Sequence, residues 1–330
     1  MTTKHTSNQL MSVSDQTVLV SVVMGCFNVA SSVEGTVRSI QNQTMRDWEL
    51  IVVDDGSTDD TPGILLRIAA EDSRIRVITQ PNRGLTQALI AGCNEARARY
   101  IARQDSGDFS LPERLATQYA YLEAHADAVA VGSSVRYIGP EGEFLGEWVR
   151  RQSPNETTGD LLERGTGFVH PSAMFRRASY IEAGGYRPQF RYAQDHDLWY
   201  RLAEIGLLGS CPEVLFEYRQ ELGGVSPENR VIQKQLGELA RRCWELRTRG
   251  LPETPALDEA AELSLRRAAT SSGTKRHSMG SSAYFVGSRL YALGDSRCRK
   301  YFMIALKARV RVLRSAFKYL GSFRFLWSTR

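Results

Sequence analysis

Trp48-Glu49-Leu50-Ile51-Val52-Val53-Asp54-Asp55-Gly56-Ser57 is the stretch from which the fold can be read. Its first six positions form a short apolar, β-branched run bounded by a turn, which predicts a strand buried on both faces. The Asp-Asp-Gly-Ser that follows stops the strand, because these residues favour turns over ladders. Two acidic side chains are thereby left at the carboxyl end of a buried strand. Such a strand needs helices above and below it, so its neighbours should alternate between strand and amphipathic helix.

They do. Upstream, Val18 to Met24 reads as another doubly buried strand, and Ser31-Ser32-Val33-Glu34 has the spacing of a capping box. Val33, Val37 and Ile40 then recur at helical spacing. Downstream come a helix carrying Ile64, Leu65, Ile68 and Ala69, a strand from Ile75 to Thr79, and a turn at Pro81-Asn82-Arg83-Gly84. A helix through Leu85, Leu89 and Ala96 leads to a short strand, Tyr100 to Arg103, and then to Gln104-Asp105-Ser106-Gly107-Asp108. Ser110-Leu111-Pro112-Glu113 predicts a helix start with proline at its first position. Ala128 to Tyr137 is strand-like. The βαβα order predicts an α/β fold with a mostly parallel sheet flanked by helices.

From Gly139 to Thr166 the pattern loosens into Gly, Pro and polar residues. Phe168 to Phe175 and Val214 to Tyr218 read as strands, and Asp195 to Ile205 as a helix stopped by Gly206. Beyond Ser226 only helical segments follow. The expected organisation is an extended or disordered segment at 1–17, a catalytic domain at 18–225 and a helical region at 226–330.

Composition narrows the class. The 330 residues are 42% hydrophobic and 24% charged, with mean hydropathy −0.32, ordinary values for a globular protein. No apolar run approaches the roughly 20 residues of a spanning helix, and the first sixteen residues hold no apolar signal core. A cytoplasmic location is expected. Five singly spaced cysteines argue against a disulfide framework or a Cys-based metal site. The net charge of +5 suits nucleotides or anionic membrane surfaces. No recognised nucleic-acid module accompanies it, so no nucleic-acid partner is expected. Cations concentrate at the end: Ala305 to Arg330 contains Lys307, Arg309, Arg311, Arg314, Lys318, Arg324 and Arg330 and no acid. Interleaved with Phe302, Leu313, Phe317, Leu320, Phe323 and Trp327, they have two readings. One is a basic amphipathic helix within 301–330 lying on an anionic membrane, peripheral to its cytoplasmic face. The other is a helix packed on the catalytic domain with its arginines in water.

Ligands of parallel α/β sheets bind outside the carboxyl ends of the strands. Asp54-Asp55 and Asp105 with Asp108 fall there. Carboxylates so placed hold Mg²⁺ or Mn²⁺, hydrogen-bond a base or ribose, or cap the next helix. Two clusters at equivalent places favour a site. A dinucleotide site is disfavoured, since Gly25-Cys26-Phe27-Asn28 is no G-x-G-x-x-G.

Several blocks, in order, resemble glycosyltransferase family 2. They are Val20-Ser21-Val22-Val23-Met24 through Phe27-Asn28, Ser39-Ile40-Gln41-Asn42-Gln43-Thr44, and Trp48 through Asp59. Asn82-Arg83-Gly84, Tyr100-Ile101-Ala102-Arg103-Gln104-Asp105, Leu111-Pro112-Glu113-Arg114, His170-Pro171-Ser172-Ala173-Met174-Phe175 and Gln194-Asp195-His196-Asp197-Leu198-Trp199 continue the series. The resemblance covers roughly residues 18 to 220. It implies the GT-A fold, Rossmann-like with a helical C-terminal appendage, and a nucleotide-diphosphate sugar donor, UDP-sugar first. It also implies inversion, a glycan or lipid-linked acceptor in surface polysaccharide or glycolipid synthesis, and Mn²⁺ or Mg²⁺. By the same resemblance Phe27, Asn28, Asp54, Asp55, Arg83, Arg103 and Asp105 would bind the donor. Asp105 and Asp108 would bind metal, and Asp195 would be the catalytic base. Read from the residues themselves, His170 is structural or shapes the acceptor side, and Trp199 lies on the acceptor side or in the core. A carboxylate at a helix start suits a base, because the helix dipole favours its ionised form.

Three departures matter. Gly107 stands where that family usually has a metal-binding carboxylate, Gly25 and Phe27 replace a Pro and a Tyr, and Gln194 replaces a Glu. Gly107 leaves a second reading open, a protein that binds nucleotide-sugar without efficient turnover.

Overall fold

The computed structural model describes residues 18–223, 227–265 and 272–322; the segment 1–17 and residues 323–330 lie outside the described residues. The first half alternates as expected: β1 Val20–Cys26, α1 Val33–Gln41, β2 Trp48–Asp54, α2 Thr61–Glu71, β3 Ile75–Thr79, α3 Leu85–Glu95 and β4 Tyr100–Asp105. Then come β5 Phe109–Ser110, α4 Arg114–Ala124, β6 Ala128–Ile138, β7 Phe144–Trp148 and α5 Pro154–Arg164. A 3₁₀ turn, His170–Ser172, precedes β8 Met174–Arg176, α6 Arg177–Glu182, α7 Gln194–Ala203 and β9 Leu207–Arg219. Helices α8 Pro227–Thr248, α9 Thr254–Leu265, α10 Ser272–Ala292, α11 Cys298–Lys307 and α12 Val312–Gly321 complete the described chain.

The sheet runs β3-β2-β1-β4-β8-β6-β9-β5, with β7 paired to β6. Strands β3, β2, β1 and β4 are mutually parallel. β8 is antiparallel to both β4 and β6, while β6 and β9 run parallel. All seven residues of β1 and all seven of β2 are buried. Alternate side chains divide between two cores: Val23, Ile51 and Val53 to one face, Val22, Met24, Leu50 and Val52 to the other. That is what period-2 geometry does to a run buried at every position. Helices α8 and α9 bury Leu236, Ala240, Cys243, Ala256 and Ala260 in the first of these cores. Helices α10 and α11 build a separate small core around Leu145 of β7, with Val286, Leu290, Tyr301 and Phe302. All five cysteines are buried and free. Among the described residues no helix is long and apolar enough to cross a membrane.

Local expectations fail in four places. Ser32 caps α1 without a side-chain bond, and Glu34 instead pairs with Arg38 at 2.6 Å and Arg67 at 3.0 Å. The α4 helix starts at Arg114, not Pro112. The buried Gln43 side chain accepts the Leu115 N–H at 2.9 Å and so performs the capping from a distant segment. The capping box that forms, Ser153 with Glu156 ahead of α5, lies in the stretch read as loop, as does β7. Finally, only Met174 to Arg176 of the expected strand at 168–175 is extended. Pro171 has no N–H for a ladder and sits in the 3₁₀ turn.

Candidate active site

Register sets the geometry. Cys26 of β1 pairs with Asp54 of β2, and Gly25 with Asp105 of β4, so both aspartates stand at the same carboxyl edge on either side of β1. Beyond β1, Phe27 is 45% exposed beside that edge. Asn28 takes a left-handed φ of 53°, a conformation asparagine tolerates. Its N–H donates to Ser57 Oγ at 2.9 Å, and its Oδ1 accepts the Thr58 N–H at 2.8 Å. Asn28 thus ties the first loop to the one after β2.

The two aspartates after β2 differ in kind. Asp55 is buried and fully engaged: Oδ1 accepts from Gln80 Nε2 at 2.6 Å and from the Arg83 N–H at 2.9 Å, and Oδ2 accepts the Gly84 N–H at 2.7 Å. It holds the Pro81–Gly84 loop, and with it Arg83. Asp54 accepts the Ser57 N–H at 3.2 Å through Oδ1, while its buried Oδ2 has no protein partner. A buried oxygen without a partner costs about 1–3 kcal/mol.

After β4 the chain is held rigidly. Arg103, 1% exposed, forms an ion pair with Asp105. Arg114, wholly buried, donates to the Arg103 carbonyl at 2.7 Å, Ser110 Oγ at 2.8 Å and Gln104 Oε1 at 3.0 Å. Burial, reinforced by the Arg103 charge, pulls Arg114 down to about 9. Gly107 has φ +100°, a backbone that disfavours side chains, and its N–H donates to Thr36 Oγ1 at 2.9 Å. A Cβ there would lie 3.5 Å from Glu221 Oε1 and 3.9 Å from Ser32 Oγ. Glu221, just past β9, therefore brings a carboxylate to the place that a side chain at 107 would fill. Asp108 is buried, and its Oδ1 accepts the Arg219 N–H at 2.8 Å. Burial, then the neighbouring Asp105, push its carboxyl well above the ordinary range.

A polar cavity of about 460 Å³ lies against this edge, lined by Asp105, Asp195, His170, Gly84, Arg191, Tyr218 and Gln233 among others. A second, of about 400 Å³, shares Asp105, Tyr218 and Gln233 with it and adds Asp108, Glu221 and Arg230. Together they form one acidic cleft across the ends of β4 and β9. Larger hollows exist elsewhere, one of about 750 Å³ near Tyr121 and His125. That one collects a single acid, Glu213, and no end of a parallel strand.

Asp195 is the second residue of α7. The residue before the helix, Ala193, is held at φ 58°, a strained conformation for alanine that costs about 1–2 kcal/mol. Burial raises the Asp195 carboxyl, but His196, His170 and the backbone N–H groups of the helix start outweigh it, leaving it below the ordinary range. His170 Nε2 bonds the Tyr186 hydroxyl at 2.7 Å. Burial, then Arg103, lower its pKa to about 4, so the ring is neutral at pH 7.

Asp105, Asp195 and His170 thus share one cavity, and Asp108 joins them through the adjoining one. Asp55 and Asn28 serve the loops around it. Of the two readings of Trp199, the structure gives core: it is 1% exposed and packs on Phe168, His170 and Phe175. Sequence reasoning missed Glu221, Tyr218, Arg191 and Gln233. Only Tyr218 carried a local signal, as the end of an expected strand.

Among the described residues no three acidic, His or Cys side chains converge closely enough to hold a metal ion alone. The donors present near Gly107 are oxygens, which suits a hard divalent cation sharing one or two carboxylates with substrate phosphates.

The family profile described as Glycosyl transferase family 2 matches residues 21–185. The chain is 36% identical over 207 residues to the putative glycosyltransferase EpsE of Bacillus subtilis, covering 61% of this chain and 73% of that one. It is 32% identical over 205 residues to the O-antigen biosynthesis glycosyltransferase WbnJ of Escherichia coli, covering 62% and 77%. In fold it is similar to the mannosyltransferase PcManGT of Pyrobaculum calidifontis, solved with GDP-Man and Mn²⁺. The TM-score is 0.54 at 19% identity, over 94% of this chain and 88% of that one.

Proposed function

This chain belongs to glycosyltransferase family 2 and is a glycosyltransferase with the GT-A fold, and on that premise we propose that it transfers a sugar, with inversion, from a nucleotide-diphosphate donor to a hydroxyl of a glycan or lipid-linked acceptor in surface polysaccharide synthesis. The observation that carries this reading is the single cleft lined by Asp105 on a parallel-strand end and Asp195 on a helix start. The O-antigen role in the WbnJ name supports the acceptor class.

The donor's base belongs between the exposed Phe27 ring and Asp54, whose unpaired Oδ2 accepts a base or ribose hydrogen. UDP-sugar is our first choice. Arg83, set by Asp55, and Arg191, which passes over Gly84, face the diphosphate. Asp105 and Glu221 would hold Mn²⁺ or Mg²⁺ together with the phosphates, with Asp108 behind them. Such a cation neutralises charge developing on the departing nucleoside diphosphate.

Asp195 takes the proton of the acceptor hydroxyl as that oxygen attacks the anomeric carbon from the face opposite the leaving group. The helix N–H groups keep this carboxylate ionised and aimed. Neutral His170, fixed by Tyr186, shapes the acceptor side without competing for the proton.

Nucleotide release from a panel of UDP-, GDP-, dTDP- and CDP-sugars with Mn²⁺, with and without Asp195→Asn, tests the reading. Slow release from one donor, lost in the variant while donor binding persists, is expected. Release undiminished by Asp195→Asn would remove Asp195 as base. Tight donor binding with no release from any donor or acceptor would favour the non-turnover reading that Gly107 motivates.

A further inference from the structure

The basic C-terminal stretch folds as two helices, not one. Arg309 and Arg311, at φ 56° and 44°, break it between α11 and α12. The two helices use their apolar residues differently. In α11, Tyr301, Phe302 and Ala305 are buried, the first two against Val286 and Leu290 of α10. In α12 the inner side is mixed: Tyr319 packs against the same small core, Ser315 is buried, and Lys318 Nζ donates to Ser288 Oγ at 3.1 Å and lies over the Tyr284 ring.

The outer side of α12 is apolar. Leu313, Phe317 and Leu320 are 86%, 75% and 67% exposed. Their spacing of four and three places all three on one stripe. Folding normally leaves such residues scattered, and a contiguous stripe marks an interaction surface. Exposed cations flank it: Arg309 at the helix break and Arg314 within the helix, while Arg311 lays its guanidinium over the Tyr284 ring. From Ser296 to Ser322 the chain contains no Asp or Glu, so nothing in this segment neutralises them.

We propose that the outer face of α12 docks on an anionic lipid bilayer, with Leu313, Phe317 and Leu320 entering the headgroup–acyl boundary and Arg309 and Arg314 meeting lipid phosphates. Charge complementarity selects this occupant. A second copy of the chain docked face to face would set those arginines against their equivalents, and like charges repel. A bilayer accepts both parts at once: apolar side chains penetrate about 5–10 Å while cations stay at the phosphate level. The helix lies on the membrane and does not span it, consistent with the absence of a spanning helix among the described residues.

Sedimentation of the full-length protein with phosphatidylcholine vesicles, with and without phosphatidylglycerol, tests this. Binding to the anionic vesicles is expected, weakened by salt. Combined Leu313→Ser and Phe317→Ser should lower it at least about tenfold, and Arg314→Gln about fivefold. All three positions are exposed, and an unchanged thermal melt will show that the variants fold. Absence of vesicle binding, equal binding to the neutral vesicles, or binding unchanged in both variants overturns the proposal. So does a halved mass in size-exclusion light scattering for the double variant, which would assign the face to a second copy. Binding is measured without donor or acceptor, so its failure would leave the transferase reading intact.

Discussion

Asp55→Asn separates a loop anchor from a ligand. Asp55 sits 3% exposed with three bonds, from Gln80 Nε2 at 2.6 Å and from the Arg83 and Gly84 N–H groups at 2.9 and 2.7 Å. Asparagine is isosteric but exchanges one acceptor oxygen for a donor NH₂. Whichever way the amide turns, a donor faces either the Gly84 N–H or the Arg83 and Gln80 donors. At least one bond to a charged acceptor is lost, and one N–H is left unpaired. The combined cost is about 2–4 kcal/mol, the lower end applying if the loop relaxes into water. A melting point lowered by about 3–6 °C is expected. Nucleotide affinity should fall with it, because Arg83 loses its support. Differential scanning fluorimetry with and without UDP reads both quantities. Asp54→Asn is the contrast: its Oδ2 has no protein partner, so it should weaken nucleotide binding with a stability change within about 1 kcal/mol. An Asp55→Asn protein that melts with the wild type yet no longer binds nucleotide would refute the anchor assignment and make Asp55 a direct ligand.

Further outcomes are expected at the site. Asp195→Asn should lower transfer by about 10³-fold or more with donor affinity retained, and the acid limb of the wild-type rate should lie below the ordinary carboxylate range, as its lowered pKa requires; a limb near pH 6 would contradict this. His170 has a folded pKa of about 4 against ~6.5 unfolded, so the unfolded chain binds the extra proton and stability declines as pH falls from about 6.5 to 4. That decline amounts to about 3 kcal/mol, and His170→Asn should flatten it in urea titrations across the window. Glu221→Ala should weaken Mn²⁺ binding in the presence of UDP, followed by the Mn²⁺ paramagnetic resonance signal. Gly107→Asp should fail to strengthen that binding, because φ +100° strains the new residue and its carboxylate would crowd Glu221; a gain in Mn²⁺ affinity with unchanged stability would show that reasoning wrong.

Much of the site was legible because its residues sit at strand ends. Asp54 follows a run that is apolar but for Glu49, so the strand's end, and hence the acid's place, could be read from the pattern; Asp105 follows the short Tyr100–Arg103 strand and was placed by the turn residues behind it. Asp195 was legible as the start of an amphipathic helix. The capping boxes were misread at α1 and α4, since Glu34 found two arginines and Gln43 arrived from a distant segment to cap. Trp199 stayed open between acceptor side and core because helical spacing does not say which face of α7 meets the core.

Local order in this chain is a property of short sequence windows: period, turn chemistry and the β-rich runs determine the alternation of strand and helix and put acids at the mouth of the sheet. Convergence is not local. That β4 lies beside β1, that Glu221 comes within reach of Gly107 from 114 positions away, that Asp55 is consumed by its own loop, and that α12 turns its leucines and phenylalanine outward all depend on packing between distant segments. Those contacts are chosen by the closure of the two cores, where complementary shape and paired polar groups decide among many arrangements with the same local pattern.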